Sequence, residues 1–352
     1  MLTTALVSDA LHDPLHPAPL LRRDLRPDDV DVRVTFCGVC HSDLHALATP
    51  PEQGGTFPIV PGHEFVGEVV AVGKAVTDFR AGDPVAVGNI VDSCGTCAMC
   101  RRGQENFCLE FPTLTYAGRD RVDGSVTAGA WAGRYVVRDR FVYHRPAALD
   151  PASVAPLMCA GITVWEPMRS VGVGPGTRLG VVGIGGLGHL AVRLARALGA
   201  EVTAFTTTPA KAVDAERLGA AHVVVSTDAA AMQAARSSLD VVLDTVAVEH
   251  DLGPYLGVLD LDGTLFSLGH LGPVTIATTD LLIGRKRLAS AGSGGHRLTQ
   301  DLLDFCGEHG IVADVEVLPA AAVATAVERL ARGDVRYRFV LDLRDLDVAE
   351  PA

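Results

Sequence analysis

The stretch 179-LGVVGIGGLGHL-190 determines the fold of the second half of this chain. An apolar, strand-like segment at 179–182 runs directly into the pattern G-x-G-x-x-G, and apolar residues with helical spacing follow at 187–198. In this position the first glycine allows a tight turn, the second lets a pyrophosphate approach the backbone, and the third lets the helix pack closely on the strand. The pattern therefore predicts a dinucleotide-binding turn at Gly183, Gly185, Gly186, Leu187 and Gly188.

The alternation of strand and helix continues beyond this turn. Apolar strand segments occur at 201–206, 222–225, 239–244 and 264–268. Parallel strands of one sheet need crossover connections, which helices usually provide. We therefore predict an α/β fold for residues 159–296, namely a doubly wound parallel sheet.

The first part of the chain has a different character. Residues 31–36 alternate between apolar and polar side chains, which is the period of a half-buried strand. Further short strands are predicted at 64–72 and 83–87, and glycine turns separate them. Residues 1–158 should therefore form a turn-rich, mostly β domain.

The last part of the chain contains two helical segments, 299–309 and 320–330. A short strand-like segment follows each of them. We expect residues 297–352 to join the first domain rather than the parallel sheet.

Length and charge limit the function classes. The chain has 352 residues, enough for two domains, and a formal net charge of −12. This charge repels nucleic-acid phosphates and anionic lipids, so a small molecule is the expected partner, and neither nucleic acid nor membrane is. No basic and apolar leader is visible at the start, and no apolar stretch is long enough to span a bilayer. We therefore expect a cytoplasmic protein whose eight cysteines bind metal or catalyse rather than form disulfides.

Four of the cysteines have the spacing C-x2-C-x2-C-x7-C. Tetrahedral zinc takes four thiolates at about 2.3 Å, and a glycine-containing loop can deliver all four from one segment. A closed shell of four sulfurs leaves no position for a substrate. The spacing favours a structural zinc site over free thiols or an iron-sulfur cluster, with the ligands Cys94, Cys97, Cys100 and Cys108.

A second group of metal-ligating residues is scattered along the chain. Cys40, His63 and Cys159 would supply two sulfurs and one imidazole, an open arrangement that leaves a fourth position for water or an alcohol. Each residue taken alone has an ordinary alternative role as a core residue. Their occurrence together with the quartet and the glycine turn favours a catalytic zinc site.

The end of the strand at 201–206 indicates which dinucleotide is bound. An acid about 20 residues beyond the glycine turn would bind the ribose 2′-hydroxyl of NAD. This chain has Thr206, Thr207 and Thr208 there, with Lys211 after them. Hydroxyls and an ammonium group suit a 2′-phosphate, which predicts NADP(H). The alternative is that the threonines only cap the next helix.

Taken together, these motifs resemble those of the zinc-containing medium-chain alcohol dehydrogenases, and most closely the cinnamyl alcohol dehydrogenase branch. The resemblance covers nearly the whole length. It rests on residues 37–45, 61–67, 94–108, 159–164, 183–188 and 334–339. It implies a GroES-like, mostly β catalytic domain beside a Rossmann cofactor domain, and a homodimer.

The resemblance also implies roles for single residues. Cys40, His63 and Cys159 would ligate the catalytic zinc, Glu64 would be an exchangeable ligand, and Cys37 would not be a ligand. Asp43 would orient His63, while Ser42 and His45 would relay the alcohol proton. The residues that it adds to the cofactor contacts are Thr163, Val246 and Ser293.

The expected activity is an NADPH-dependent reduction of aldehydes, reversible with primary alcohols, with aromatic or allylic substrates such as cinnamaldehyde first. Zinc would act as a Lewis acid, lowering the pKa of an alcohol from about 16 toward about 7. One alternative is reduction of a conjugated iminium or alkene, and another is a non-catalytic nucleotide-binding protein. Residues 290–295 are smaller and more polar than is common in the family, which leaves the substrate open. Trp131 is interpreted as a packing residue rather than a substrate contact, and Cys306 has no assigned role.

Overall fold

The structure is a computed structural model, and it describes residues 1–346. The chain divides into two compact units, one made of Met1–Cys159 with the segment from Ser293 onward, and the other of Ala160–Gly292. The sequence placed Cys159 and residues 293–296 in the second domain. Cys159 lies in the first unit because its Sγ is 3.8 Å from that of Cys40, and Ser293 because its hydroxyl donates to Asn89.

The first unit contains eleven of the strands and five of the α-helices that the structure describes. The strands are β1 Leu2–Val7, β2 His16–Leu21, β3 Asp29–Val39, β4 Phe65–Val72, β5 Pro84–Val87, β6 Ile90–Asp92, β7 Thr113–Leu114, β8 Arg134–Arg138, β9 Tyr143–His144, β16 Val315–Pro319 and β17 Arg338–Asp342. The helices are α1 His41–Ala48, α2 Ala98–Arg101, α3 Pro151–Val154, α10 His296–His309 and α11 Val323–Ala331. Short 3-10 helices lie at Pro51–Gln53, Glu105–Phe107, Asp139–Phe141, Ala155–Met158 and Ala320–Ala322.

A mostly antiparallel sheet organises this unit, which the sequence predicted to be turn-rich and mostly β. Its strand order is β16-β17-β3-β4-β5-β9, with β8 also paired to β3, and only the β16–β17 pair is parallel. β3 is buried over almost its whole length rather than on one face, with Arg33 as its exposed residue. The carboxylates of Asp29 and Asp31 in β3 are buried because they form ion pairs with Arg23 and Arg134.

Helix α10 shows how the sequence pattern places Cys306. Thr299, Leu302, Leu303 and Cys306 are buried and share one face of the helix at the spacing i, i+3, i+4, i+7. Burial raises the pKa of the Cys306 thiol to about 12. A thiol in this state is unreactive, so Cys306 is a core residue.

The second unit is the predicted doubly wound parallel sheet. Its strands are β10 Arg178–Val182, β11 Glu201–Thr206, β12 His222–Val225, β13 Leu239–Asp244, β14 Leu259–Ser267 and β15 Arg287–Ser290. They are all parallel, in the order β12-β11-β10-β13-β14-β15. The helices are α4 Ala160–Ser170, α5 Gly188–Ala197, α6 Ala212–Leu218, α7 Ala229–Ala234, α8 Gly253–Val258 and α9 Thr278–Leu282, and a 3-10 helix lies at Pro209–Lys211. Among residues 1–346, no helix has both the length and the apolar character needed to cross a membrane.

Candidate functional site

The three predicted ligands of the open zinc site lie together in the first unit. Cys40 follows the last residue of β3, His63 precedes β4, and Cys159 follows the 3-10 helix Ala155–Met158. The Sγ atoms of Cys40 and Cys159 are 3.8 Å apart, and His63 Nε2 is 3.3 Å from Cys159 Sγ. With a carboxylate oxygen of Glu64, their ligand atoms all lie within 4.8 Å of one another.

The carboxylate of Asp43 contacts Cys40, Gly62 and His63 and so positions the ligands of the open zinc site. This carboxylate, fully buried in the first turn of α1, accepts hydrogen bonds from Cys40 N at 2.8 Å and Gly62 N at 3.0 Å. It also lies 3.0 Å from Nδ1 of His63. Burial lowers the pKa of His63, but the charge and hydrogen bond of Asp43 outweigh burial and raise it well above the usual value. A carboxylate that accepts from Nδ1 leaves Nε2 of a neutral imidazole free as a ligand atom.

Glu64 and Arg338 form a buried ion pair beside the cysteines. Arg338 Nε lies 3.3 Å from Glu64 Oε1, and both side chains are almost fully buried. A Cβ at position 38 would lie 1.9 Å from Glu64 Oε1, so any residue larger than glycine there would displace the Glu64 side chain. Burial raises the pKa of Glu64 to about 8, although Arg338 acts in the opposite direction. Arg338 belongs to the 334–339 motif, from which alone no role for it could be predicted.

The pKa values of the two thiols in the open group are shifted in opposite directions. A hydrogen bond from the Cys159 thiol, together with the nearby charges of Arg338 and His63, holds the pKa of Cys40 well below its usual value. The same hydrogen bond and burial raise the pKa of Cys159. One thiolate is therefore already favoured before any cation binds, as suits a metal ligand.

The quartet also assembles in the first unit. Cys94, Cys97, Cys100 and Cys108 place their sulfurs within 4.8 Å of one another, with Cys94 to Cys100 at 3.8 Å and Cys97 to Cys100 at 3.5 Å. Thiolates at about 2.3 Å from one tetrahedral ion would be about 3.8 Å apart, so a single zinc ion fits the four sulfurs.

Backbone N–H groups stabilise thiolates in this loop. Cys97 Sγ accepts from Cys100 N and from Leu109 N, each at 3.5 Å. These two donors lower the pKa of Cys97 to about 6. The backbone of this loop therefore stabilises a thiolate at Cys97, as a zinc ligand requires.

The glycine turn of the second unit has the geometry that the pattern predicts. Gly183 has φ +84°, which favours glycine. A Cβ on Gly188, the first residue of α5, would lie 1.9 Å from the Gly183 carbonyl oxygen. A Cβ on Gly185 would meet no atom within 4 Å, so this backbone faces open space. An anion can reach it at the N-terminus of α5.

Family models match most of the chain. The alcohol dehydrogenase GroES-like domain matches residues 26–147, and the zinc-binding dehydrogenase domain matches residues 186–308. Aldehyde reductase YahK of Escherichia coli is 46% identical over 95% of this chain and 96% of its own length. The chain belongs to the zinc-dependent alcohol dehydrogenases.

Solved structures place this alcohol dehydrogenase in the cinnamyl alcohol dehydrogenase branch. It is similar to a cinnamyl alcohol dehydrogenase of Sorghum bicolor, with a TM-score of 0.95, 41% identity and coverage of 100% of both chains. It is also similar to a CAD from Helicobacter pylori complexed with NADP(H), with a TM-score of 0.90, 30% identity and coverage of 98% and 99%. The family and the GroES-like and Rossmann folds predicted from the sequence are thus confirmed.

In this alcohol dehydrogenase the predicted relay residues lie on α1. Ser42 and His45 are both exposed and are three residues apart, on one side of the helix. Ser42 Oγ lies 3.7 Å from Cys40 Sγ. Within residues 1–346, no hydrogen bond joins Ser42 to His45.

The predicted NADP(H) contacts of this alcohol dehydrogenase surround the end of β11. Thr206 is its last residue and is buried, while Thr207, Thr208 and Lys211 are exposed. Thr208 precedes the 3-10 helix Pro209–Lys211, but its hydroxyl caps no backbone N–H in the described structure. The capping alternative is therefore not realised here.

Three further predicted cofactor contacts lie apart in the sequence. Val246 is close to the glycine turn, since a Cβ on Gly183 would be 3.1 Å from its Cγ2. Thr163 lies in α4 of the same unit. Ser293 belongs to the first unit, where its hydroxyl donates to Asn89 Oδ1 at 2.7 Å.

Proposed function

We propose that this chain is an NADP(H)-dependent zinc alcohol dehydrogenase that reduces aldehydes, with aromatic or allylic aldehydes such as cinnamaldehyde first among its substrates. The observation that carries the proposal is the buried group of Cys40, His63 and Cys159, aligned by Asp43. Two thiolates and one imidazole are the donor set of an open, catalytic zinc site. The E. coli aldehyde reductase and the sorghum cinnamyl alcohol dehydrogenase support the substrate class.

Two zinc ions per chain are proposed. The open group would hold one, with Glu64 as an exchangeable ligand, and the quartet would hold the other. Zinc in the open group would supply Lewis acidity toward the oxygen of an aldehyde or alcohol, while the nicotinamide supplies or accepts hydride.

The neighbouring side chains have separate tasks in the proposed reaction. Asp43 keeps the His63 ring in one orientation and one tautomer through Nδ1. In aldehyde reduction His45 takes up a proton from solvent on the exposed side of α1, and Ser42 passes it to the substrate oxygen; alcohol oxidation uses the same relay in reverse. Arg338 limits the negative charge that Glu64 and the two cysteines bring into a buried space.

The NADP(H) preference rests on the end of β11. Thr206 occupies the place where an acid would bind the ribose 2′-hydroxyl of NAD, and Thr207, Thr208 and Lys211 can meet a 2′-phosphate. The Helicobacter pylori CAD complexed with NADP(H) supports the assignment. Gly183, Gly185, Gly186, Leu187 and Gly188 would hold the pyrophosphate, and Thr163, Val246 and Ser293 would complete the cofactor contacts.

Assays of the zinc-loaded enzyme test the proposal directly. Consumption of NADPH is followed with cinnamaldehyde, benzaldehyde and aliphatic aldehydes, while zinc per chain is measured on the same sample. Turnover with two zinc ions per chain is the expected result. Absence of turnover in a sample that holds both ions would overturn the proposed activity.

A charge substitution tests the cofactor. Thr206→Asp should shift the preference from NADPH toward NADH, because the new carboxylate repels a 2′-phosphate and can accept from a 2′-hydroxyl. Thr325→Asp is the control, since Thr325 is an exposed threonine of helix α11 in the first unit and makes the same change of charge away from β11. An unchanged NADPH preference in Thr206→Asp would show that the pocket is assigned wrongly.

The proposed assembly is a homodimer formed through β15. This strand is at the edge of the parallel sheet, and the adjacent Leu282 and Ile283 are exposed. An edge strand beside exposed apolar side chains is a natural pairing surface. Sedimentation of the zinc-loaded enzyme tests it, and a monomer would refute it. The cytoplasm is the proposed location, supported by eight cysteines without a disulfide.

A further inference from the structure

A cavity of about 400 Å³ lies in the second unit, at the carboxyl ends of β13 and β14. Asp244 is the last residue of β13, and Ser267 is the last residue of β14. The titratable side chains that line the cavity are Asp244, Glu249, His250, Asp251 and His270. Its described lining includes no lysine or arginine, so three carboxylates and two imidazoles surround a space without a fixed positive charge.

Four polar atoms of this lining are buried and have no hydrogen-bond partner. Among residues 1–346, such atoms include Asp244 Oδ2, His250 Nε2, Ser267 Oγ and His270 Nε2. Asp244 is fully buried, and Ser267 is 7% exposed. Because buried polar atoms normally have partners, four unpaired atoms around one cavity indicate a ligand that would supply them.

The loop after β13 fixes the tautomer of His250. Its Nδ1 lies 2.9 Å from the carbonyl oxygen of Val248, which can only accept a hydrogen bond. Nδ1 therefore carries the proton, and Nε2 of the neutral ring has a free lone pair. Histidines that bind metal ions usually have such a second hydrogen bond, which orients the ring.

His250 and Asp244 bring two acceptor atoms close together. Nε2 of His250 lies 3.4 Å from Oδ1 of Asp244, but no hydrogen bond joins them. Oδ1 instead accepts from the backbone N–H of Val246 at 3.3 Å. Two ligand atoms at about 2.1 Å from one tetrahedral ion are about 3.4 Å apart, so the observed distance fits a shared metal ion.

His270 supplies a second imidazole to the same cavity. Glycine at position 272 leaves room for its ring, since a Cβ there would lie 2.6 Å from His270 Nε2. The ligand atoms of Asp244, His250 and His270 do not all lie within 4.8 Å of one another, in contrast to those of the two zinc groups. His270 would therefore reach a bound ion through water, and the ion should be held more weakly than in the zinc groups.

We propose that Asp244 and His250 bind an exchangeable divalent transition-metal ion, with water and His270 completing its shell. Imidazole and carboxylate ligands suit zinc and nickel, and the exposed Glu249 and Asp251 at this cavity attract cations. The site is additional to the two zinc groups, because its residues belong to the second unit and those of both zinc groups to the first. It does not depend on the proposed reductase activity.

Nickel is a suitable probe because it can be counted separately from zinc. Untagged enzyme is loaded with zinc, dialysed and equilibrated with increasing concentrations of Ni²⁺, and both metals are then measured per chain. One nickel ion per chain should bind while the zinc content stays unchanged. His250→Gln and Asp244→Asn should each weaken nickel binding by at least about tenfold, since loss of even a supporting partner of a metal ligand costs that much.

His222→Gln is the matched control. His222 lies in the same unit and also faces a carboxylate, but its Nε2 is 2.8 Å from Glu201 Oε1 and forms a hydrogen bond. This variant should bind nickel like the wild type. The His250 side chain is partly exposed, so His250→Gln tests the site even if the buried substitution Asp244→Asn prevents folding.

The measurement uses neither substrate nor NADPH, so its outcome is independent of whether any aldehyde is reduced. Loss of nickel binding in His250→Gln, with wild-type binding in His222→Gln, would support the site. No nickel beyond the zinc content, nickel gained only as zinc is lost, or equal affinity in the two variants would overturn it. Burial raises the pKa of Asp244, so in those cases a proton shared with His250 would take the place of the metal ion.

Discussion

Two glycines of the same turn should respond differently to one added methyl group. In Gly188→Ala the new Cβ would lie 1.9 Å from the Gly183 carbonyl oxygen, whereas carbon atoms at such positions essentially never come below 3.0 Å. The start of α5 must therefore move by about 1.1 Å or more. In Gly185→Ala the Cβ meets nothing within 4 Å, so the protein itself has room for it.

The expected energies follow from these contacts. Overpacking costs about 1–3 kcal/mol, and a contact of 1.9 Å with a backbone oxygen belongs at the upper end of that range. Since alanine in a helix returns up to about 1 kcal/mol, Gly188→Ala should lose about 2–3 kcal/mol of unfolding free energy. Gly185→Ala should unfold like the wild type. Both should lose at least about tenfold in NADPH affinity, which corresponds to about 1.4 kcal/mol. In Gly188→Ala the helix N-terminus is displaced, and in Gly185→Ala the methyl blocks the approach of the pyrophosphate.

Urea unfolding without cofactor measures the unfolding free energy, and a titration followed by NADPH fluorescence measures the NADPH affinity. A Gly188→Ala midpoint equal to that of the wild type would refute the steric reasoning. Wild-type NADPH affinity in Gly185→Ala would refute the assignment of this backbone to the pyrophosphate. Because only one variant should be destabilised, a general loss of folding cannot produce the expected pattern.

Two further predictions concern the metal groups. Cys100→Ser should lower the zinc content by one ion per chain and lower the melting temperature, because binding of a structural zinc contributes directly to folding. Cys306 is a buried cysteine outside both groups, so Cys306→Ala should keep both ions. Equal zinc content in the two variants would contradict the assignment. Asp43→Asn should reduce zinc affinity at the open group or kcat by about 10-fold to 100-fold, because the buried carboxylate beside His63 Nδ1 is lost. Zinc analysis and steady-state kinetics check the latter, and wild-type values in both would refute it.

The regular part of the parallel sheet could be predicted from the sequence because its strands are short apolar runs, and β11 and β13 are buried over almost their whole length. Apolar runs of four to six residues identified β11, β12 and β13 with the bounds that the structure has. β14 was placed at 264–268 but begins at Leu259. Its first half contains Asp262 with φ +63° and a register shift opposite Leu239 and Val241, so the alternation that marks a strand is broken there.

Other elements leave little trace in the sequence. β15 has the sequence RLAS, with one aliphatic residue larger than alanine, and it is a strand because β14 pairs with it. In the hairpin of β1 and β2, the outer strand β2 contains two prolines and is largely exposed. Neither β15 nor β2 has an amino-acid composition that favours β-strands.

The site residues likewise divide into those that the sequence predicts and those that only the folded structure reveals. Cysteine and histidine ligands could be predicted because metal chemistry restricts both residue type and spacing. The role of Arg338 could not be predicted, since it depends on partners far away in the sequence. Arg338 donates to the carbonyl of Val39, 299 residues away. Only the folded chain brings such pairs together.

The net charge of −12 raises the question of how this chain could bind a cofactor with an additional phosphate. At physiological ionic strength the Debye length is about 8 Å, so exposed carboxylates farther away contribute little at the end of β11. One carboxylate at Thr206, about 4 Å from a phosphate, would add repulsion of roughly 4 kcal/mol at an effective dielectric constant of about 20. This single local charge should outweigh the distant field. Thr206→Asp should therefore weaken NADPH binding by roughly 100-fold or more, whereas a distant acidic substitution of the same charge should have little effect. Similar losses for both would show that the overall field, and not the end of β11, controls cofactor choice.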